Sequence, residues 1–225
     1  MWSLAAAAGL GLVLGARHAF EPDHLAAVST LVAERPRPRQ AAALGALWGL
    51  GHSAALAVVG VALVAARAEL APAAERGFEL VVAAMLIALG ARAIVLALRE
   101  GRRGTARPHA HGGHTHVHAG AVPHVHVGAR SLALRPLAVG VIHGLAGSGA
   151  LAALAMAEMP STATALAYIA LFGLGATVGM AAVSAVAALS LGRLVPGAAA
   201  WRRVRIGSGT LAVALGVIWG ALAIS

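Results

Sequence analysis

The chain has no cysteine. Disulfides and thiolate ligands are therefore excluded. Lysine is absent too, so all 17 Lys+Arg positions are arginine. Aspartate occurs once, at Asp23. Aromatic residues make up 4% of the sequence, which leaves little for base stacking. The net charge of +9 is thus not the footprint of a nucleic-acid-binding surface. Charged residues amount to 11%, too few for a soluble domain of 225 residues.

What is abundant is apolar. The sequence is 60% hydrophobic and carries 28 glycines. Apolar runs able to cross a hydrocarbon layer of about 30 Å fall at roughly 2–33, 40–66, 77–98, 132–157, 161–191 and 204–224. The expected fold class is all-α: a polytopic membrane protein with six transmembrane helices. The N-terminus lacks a basic n-region, so the first run is expected to be a retained helix. Pro22 lies inside that run, and a kink or break at Phe20–Asp23 is predicted. Glycine pairs at GxxxG spacing, Gly45/Gly49, Gly140/Gly144, Gly175/Gly179 and Gly216/Gly220, predict close helix packing.

Arginine placement sets an expected orientation. Arg35, Arg37 and Arg39 follow the first run. Arg99, Arg102, Arg103, Arg107, Arg130 and Arg135 follow the third, and Arg193, Arg202, Arg203 and Arg205 the fifth. The second and fourth intervals hold only Arg67 and Arg76. The positive-inside bias then puts both termini outside and the central loop in the cytoplasm of a cell (cytoplasmic or inner) membrane.

The two halves resemble each other. Gly15-Ala16-Arg17-His18 aligns with Gly140-Val141-Ile142-His143. Trp48-Gly49-Leu50-Gly51-His52-Ser53 aligns with Phe172-Gly173-Leu174-Gly175-Ala176-Thr177, and Ala88-Leu89-Gly90 with Ala214-Leu215-Gly216. A repeat of three spans must be inverted in the membrane, a common transporter plan. The expected organisation is a first three-helix repeat over 1–98, a His-rich loop over 99–130 and a second repeat over 131–225.

Chemistry is concentrated at Arg17-His18-Ala19-Phe20-Glu21-Pro22-Asp23-His24. Ionisable groups at membrane depth are costly and usually functional. His18, Asp23 and His24 offer ligands suited to nickel, cobalt or zinc. On an unbroken helix, residues five and six positions on from His18 lie about 140° and 240° around the axis and do not converge. A break at Glu21-Pro22 would turn all three into one cavity. Arg17 can pair with Glu21 or with Asp23. His143 matches His18 across the repeat, and His52 has only Ala176 as its counterpart; both are supporting ligand candidates, with hydrogen-bonded packing histidines as the plainer reading of each.

Two further features remain. Ser148, in Ala146-Gly147-Ser148-Gly149, is a departure from the Gly-x-Ser-Gly nucleophile of intramembrane serine proteases, and the sixth run has no His partner for it. The central loop carries His109, His111, His114, His116, His118, His124 and His126 as H-x-H pairs among Gly, Thr, Ala and Pro. No core periodicity accompanies them, so disorder without metal and loose capture of divalent ions are expected.

With these residues the chain resembles the nickel–cobalt transporter family, in its NicO-type six-span branch. The matching stretches are Arg17 to Ala27, Trp48 to Ser53 and His143 to Ser148. The resemblance implies divalent nickel or cobalt as substrate and H-x4-D-H as the recognition motif. It points to His18, Asp23 and His24 as ligands, with His52 and His143 in support. The chain departs from eight-span members in having no helix before the one that bears the motif, and in Ser29-Thr30 where an Asp-Asn pair is common. The family holds importers and exporters, and a His-rich cytoplasmic loop occurs among the exporters.

The expected function is that of a secondary transporter passing Ni²⁺ or Co²⁺ through a His/Asp site at the membrane midplane, and not that of an enzyme. No Walker-type loop is present, so this chain does not itself hydrolyse ATP. No resident cofactor is expected; the ion is substrate. Partners are the divalent ion and the lipid bilayer, with a second copy of the chain or a metallochaperone compatible and nucleic acid excluded. Two other classes stay open: an intramembrane serine protease using Ser148, and a non-transporting membrane metal-binding or urease-accessory protein.

Overall fold

Proline punctuates the chain, and the helices start where it allows them to. The computed structural model describes residues 3–33, 37–66, 70–102, 109–111, 114–116, 129–144, 159 and 161–225. The first apolar run is two helices: α1 (Leu4–His18) and α2 (Pro22–Ala33). Between them, Phe20 N–H donates to the Arg17 carbonyl (2.9 Å) and Glu21 N–H to the His18 carbonyl (3.0 Å). Leu25 N–H then donates to the Glu21 carbonyl and opens α2. Pro22 takes the first helical position, where no backbone donor is needed. The predicted break is therefore present, and it is sharp enough to separate two helical segments.

Prolines also open α3 (Pro38–Ala66) and α4 (Pro72–Arg102). α5 spans Ala129–His143, α6 Thr162–Leu194 and α7 Gly197–Ile224. Ser161 begins α6 with a reciprocal capping box to Thr164. Among the described residues, four helices are long and apolar enough to cross a membrane: α3 over Pro38–Leu63, α4 over Pro72–Glu100, α6 and α7. α1 and α5 are 15 residues each. A helix of that length reaches about 22 Å, short of a full crossing. Of the fourth expected span, 132–157, the described residues are helical to His143 and turn at Gly144, and the remainder lies outside the described residues.

The loop differs from expectation. His109–His111 and His114–His116 form an antiparallel pair of short strands, β1 and β2, where disorder is predicted. Alternating H-x-H segments with Gly112-Gly113 between them are a hairpin-type sequence, and this local pattern outweighs the low apolar content. The register sets His109 opposite His116 and His111 opposite His114. His118, His124 and His126 lie outside the described residues.

Packing follows membrane rules. Large apolar side chains face outward, among them Val58 (71% exposed) and Leu222 (68%). The interior is built largely of Ala, Gly and a few large residues such as Trp48, Tyr168 and Met180. Without a hydrophobic drive between helices, small residues must let backbones approach. α3 packs on α6 and α5, α1 on α6, and α4 on α7. A Cβ on Gly51 would meet the Leu137 carbonyl and Val141; one on Gly175 would meet the Leu12 carbonyl and Ala16. Likewise Gly90 faces the Gly209 carbonyl and Val213, and Gly216 faces the Ala83 carbonyl and Ile87. Of the GxxxG pairs, Gly220 alone is loosely packed, with Ala83 Cβ at 3.5 Å. Ser53 adds polar glue between α3 and α6, donating to the Gly173 carbonyl at 2.8 Å.

The short α2 bridges the helices. It packs against α7 and also touches α6 and α4. Arg205 of α7 donates through Nε to the Ala33 carbonyl at the end of α2 (2.9 Å) and through Nη1 to both Glu100 oxygens. A cation on the last carbonyls of a helix complements its dipole and satisfies an orphan acceptor.

Candidate metal centre

The break between α1 and α2 brings one helix end and one helix start to the same point. His18 is the last residue of α1, and Asp23 and His24 lie in the first turn of α2. Asp23 Oδ1 accepts from its neighbour's backbone, His24 N–H, at 2.9 Å, which fixes the carboxylate at the positive end of α2. His52 enters from the middle of α3, and His143 is the last residue of α5. The approach of α5 to α3 is set by two glycines. Cβ atoms on Gly140 and Gly144 would overlap the backbone of Trp48 and His52.

All five residues predicted from the spans meet. His18 Nε2 lies 3.0 Å from His52 Nε2. His143 Nε2 lies 2.9 Å from Asp23 Oδ2, and His24 Nδ1 lies 3.0 Å from Asp23 Oδ1. Ring centroids are 4.2 Å apart for His18 and His24, and 4.1 Å for His24 and His143. The four imidazoles are buried, each at 3% exposure or less. Two overlapping ligand sets result: His18, His24 and His52; and Asp23, His24 and His143. Within each, the ligand atoms lie within 4.8 Å of one another.

The cluster is unfinished as a hydrogen-bond network. Among the described residues, His24 Nε2, His52 Nδ1, His143 Nδ1 and Trp48 Nε1 are buried without a partner. Each such group costs about 1–3 kcal/mol when left unsatisfied. Neutral imidazole nitrogens in that condition are available to a metal ion.

Three neighbours were not anticipated in these roles. Glu21 pairs with His18 Nδ1 at 2.9 Å, not with Arg17. The turn at residues 19–21 brings Glu21 beneath His18, and Asp23 is engaged by His24 and His143. Neither carboxylate forms the expected pair with Arg17 among the described residues. Trp48 stacks on His24 (5.3 Å, 26°), and Phe172 lies 5.5 Å from His18. The alignment of Trp48 with Phe172 across the repeat is the sequence signal for these two aromatic walls. Ser148 lies outside the described residues.

A family model described as "High-affinity nickel-transport protein", NicO, matches residues 4–220. The chain belongs to the NicO family. It is a multi-pass membrane protein of a nickel-transport family, with its intramembrane imidazoles gathered at one helix break. The NicO chain is also 32% identical over 171 residues to the urease accessory protein UreH of Bacillus sp. (strain TB-90). That match covers 76% of this chain and 71% of the relative. No solved structure matches the chain.

Proposed function

We propose that this NicO protein is a secondary transporter that moves Ni²⁺ or Co²⁺ across the cytoplasmic membrane through the cluster of His18, Asp23, His24, His52 and His143. The observation that carries the reading is the convergence of four buried imidazoles and the chain's sole aspartate at a broken helix. Imidazole-rich sites favour late first-row ions, whereas Mg²⁺ and Ca²⁺ want mainly oxygen. The broken helix supplies ligands and unwound backbone within the membrane, as transporter sites do.

In this reading the chain holds two inverted three-helix halves. Support comes from contacts that recur at a shift of about 125 positions: Gly51 on Leu137 and Val141, Gly175 on Leu12 and Ala16. α1 and α5 are then equivalent half-length helices, ending at His18 and His143. The arginine distribution favours termini outside and the His-rich loop in the cytoplasm.

The test is flux. Purified protein in liposomes should carry Ni²⁺ down its gradient, and an excess of Mg²⁺ should leave that flux unchanged. Absence of Ni²⁺ flux, or displacement by Mg²⁺ at comparable concentration, overturns the proposal. The likeness to a urease accessory protein favours a second reading, a membrane metal-binding or urease-accessory protein that does not transport the ion. Stoichiometric Ni²⁺ binding with no flux would establish that one.

The loop has a separate expected role. His109, His111, His114 and His116 sit at facing register positions of one hairpin. Such pairs can gather ions at the membrane surface but cannot form a path across hydrocarbon. Deleting residues 106–127 should raise the half-saturating metal concentration several-fold and leave the maximal flux within about twofold, since imidazole capture acts on supply alone. A complete loss of flux in folded protein would place an essential ligand in the loop.

A further inference from the structure

The five side chains do not form one mutually close set. Among the described residues, the ligand atoms fall into two triads, and His24 alone belongs to both. The rings of His52 and His143 stand 6.2 Å apart between centroids, against 4.1 Å for His24 and His143. With metal–nitrogen bonds of about 2.1 Å, two ligands at a right angle stand about 3.0 Å apart. The His18–His52 pair (3.0 Å) and the Asp23–His143 pair (2.9 Å) already have that spacing. Each is therefore a ready ligand edge, and His24 stands between them.

The geometry points to two successive stations for the ion: an all-imidazole station of His18, His24 and His52, and a carboxylate station of Asp23, His24 and His143. This rests on reading the cluster as the transport site. His24 is the shared ligand through which the ion passes from one edge to the other. Its Nδ1 lies on Asp23, and its Nε2 has no partner among the described residues. Passage by exchange of one edge for the other keeps the ion ligated throughout, so it never meets hydrocarbon bare. The stations also differ in charge. The first leaves the ion doubly positive, and the second neutralises one charge with Asp23. Glu21, with its side chain 42% exposed, holds His18 and marks the first station as the one linked to the protein surface.

Two stations in series must be of similar depth, since a much deeper one would trap the ion. The experiment measures Co²⁺ binding and Co²⁺ flux on the full chain in nanodiscs and liposomes. His52→Ala removes a ligand from the first station only, and His143→Ala from the second only. Each single variant should keep one bound Co²⁺ with Kd within about tenfold of the unaltered protein, while flux falls to background. The two should differ in their visible Co²⁺ absorption, because only His52→Ala retains an intact carboxylate station. The double variant should lose binding by far more than the product of the two single effects. Should a variant fail to fold, His52→Gln and His143→Gln, which keep a polar group in the buried position, are read in the same way. If each single variant weakens binding about a hundredfold and the double shows the product, the cluster is one shell and the two-station scheme is wrong, while the transport site stands. If His24→Ala binds Co²⁺ as the unaltered protein does, the cluster is not the ion site and both readings fall.

Discussion

Nickel flux should fall to background in His24→Ala, with the protein still present in the membrane at normal amount. His24 is 1% exposed and contributes to both ligand sets. Its imidazole also holds Asp23 in place at 3.0 Å and lies against Trp48. Alanine removes a nitrogen from each triad and leaves Asp23 with one imidazole partner fewer. Loss of an outer hydrogen-bond partner alone weakens metal sites about 10–100-fold, so loss of a shared ligand should cost at least a hundredfold in affinity. Water cannot make up the deficit easily in a site walled by Trp48 and Phe172. His18→Ala and Asp23→Ala should follow the same direction. The measurement is Ni²⁺ uptake into liposomes normalised to protein. Flux above about a tenth of the unaltered rate in His24→Ala would remove it from the ligand set.

Gly140→Leu should destroy the assembly rather than tune it. A Cβ at Gly140 would overlap the Trp48 carbonyl and lie 2.9 Å from His52 N. These neighbours are backbone atoms, so no side chain can swing away. α5 would be pushed off α3 beside His52, separating it from His143. Overpacking of a tight core costs about 1–3 kcal/mol even where side chains can adjust. Here the cost should reach or exceed the upper end, a large fraction of a total stability of about 5–15 kcal/mol. Gly9→Ala and Gly77→Ala, which meet nothing within 4 Å, are the matched controls. Size-exclusion profiles and thermal unfolding in detergent read the result: aggregated or strongly destabilised Gly140→Leu, unchanged controls. A stable, monodisperse Gly140→Leu would show that α5 is not held where the contacts place it.

Much of the site was legible before any fold was known. Hydropathy placed the chain in a membrane, because 60% hydrophobic content in long runs has no other stable use. Pro22 announced the break between α1 and α2, since a ring without an N–H cannot sit inside an uninterrupted helix at no cost. His18, Asp23 and His24 stood out because charge and imidazole inside such runs are expensive. The glycine spacing foretold close packing for the same reason of chemistry: a missing Cβ allows contact.

What the sequence left open is which helix faces which. Periodicity describes one helix at a time, and the partners of a face are chosen by packing between distant segments. His52 looked the least secure ligand, with Ala176 as its counterpart, yet the close approach of α3 and α5 at Gly140 and Gly144 carries it to the cluster. Glu21 was set beside Arg17 by helical spacing, but the turn at residues 19–21 gives it to His18 instead. The stacking of Trp48 on His24 and the division of five side chains into two triads were likewise decided by tertiary contact. Sequence alone singled out the five candidate ligands, because imidazole and carboxylate are chemically out of place in an apolar span. The tertiary structure decided their arrangement, because only backbone-to-backbone helix packing brings residues so far apart in the chain to within 3.0 Å.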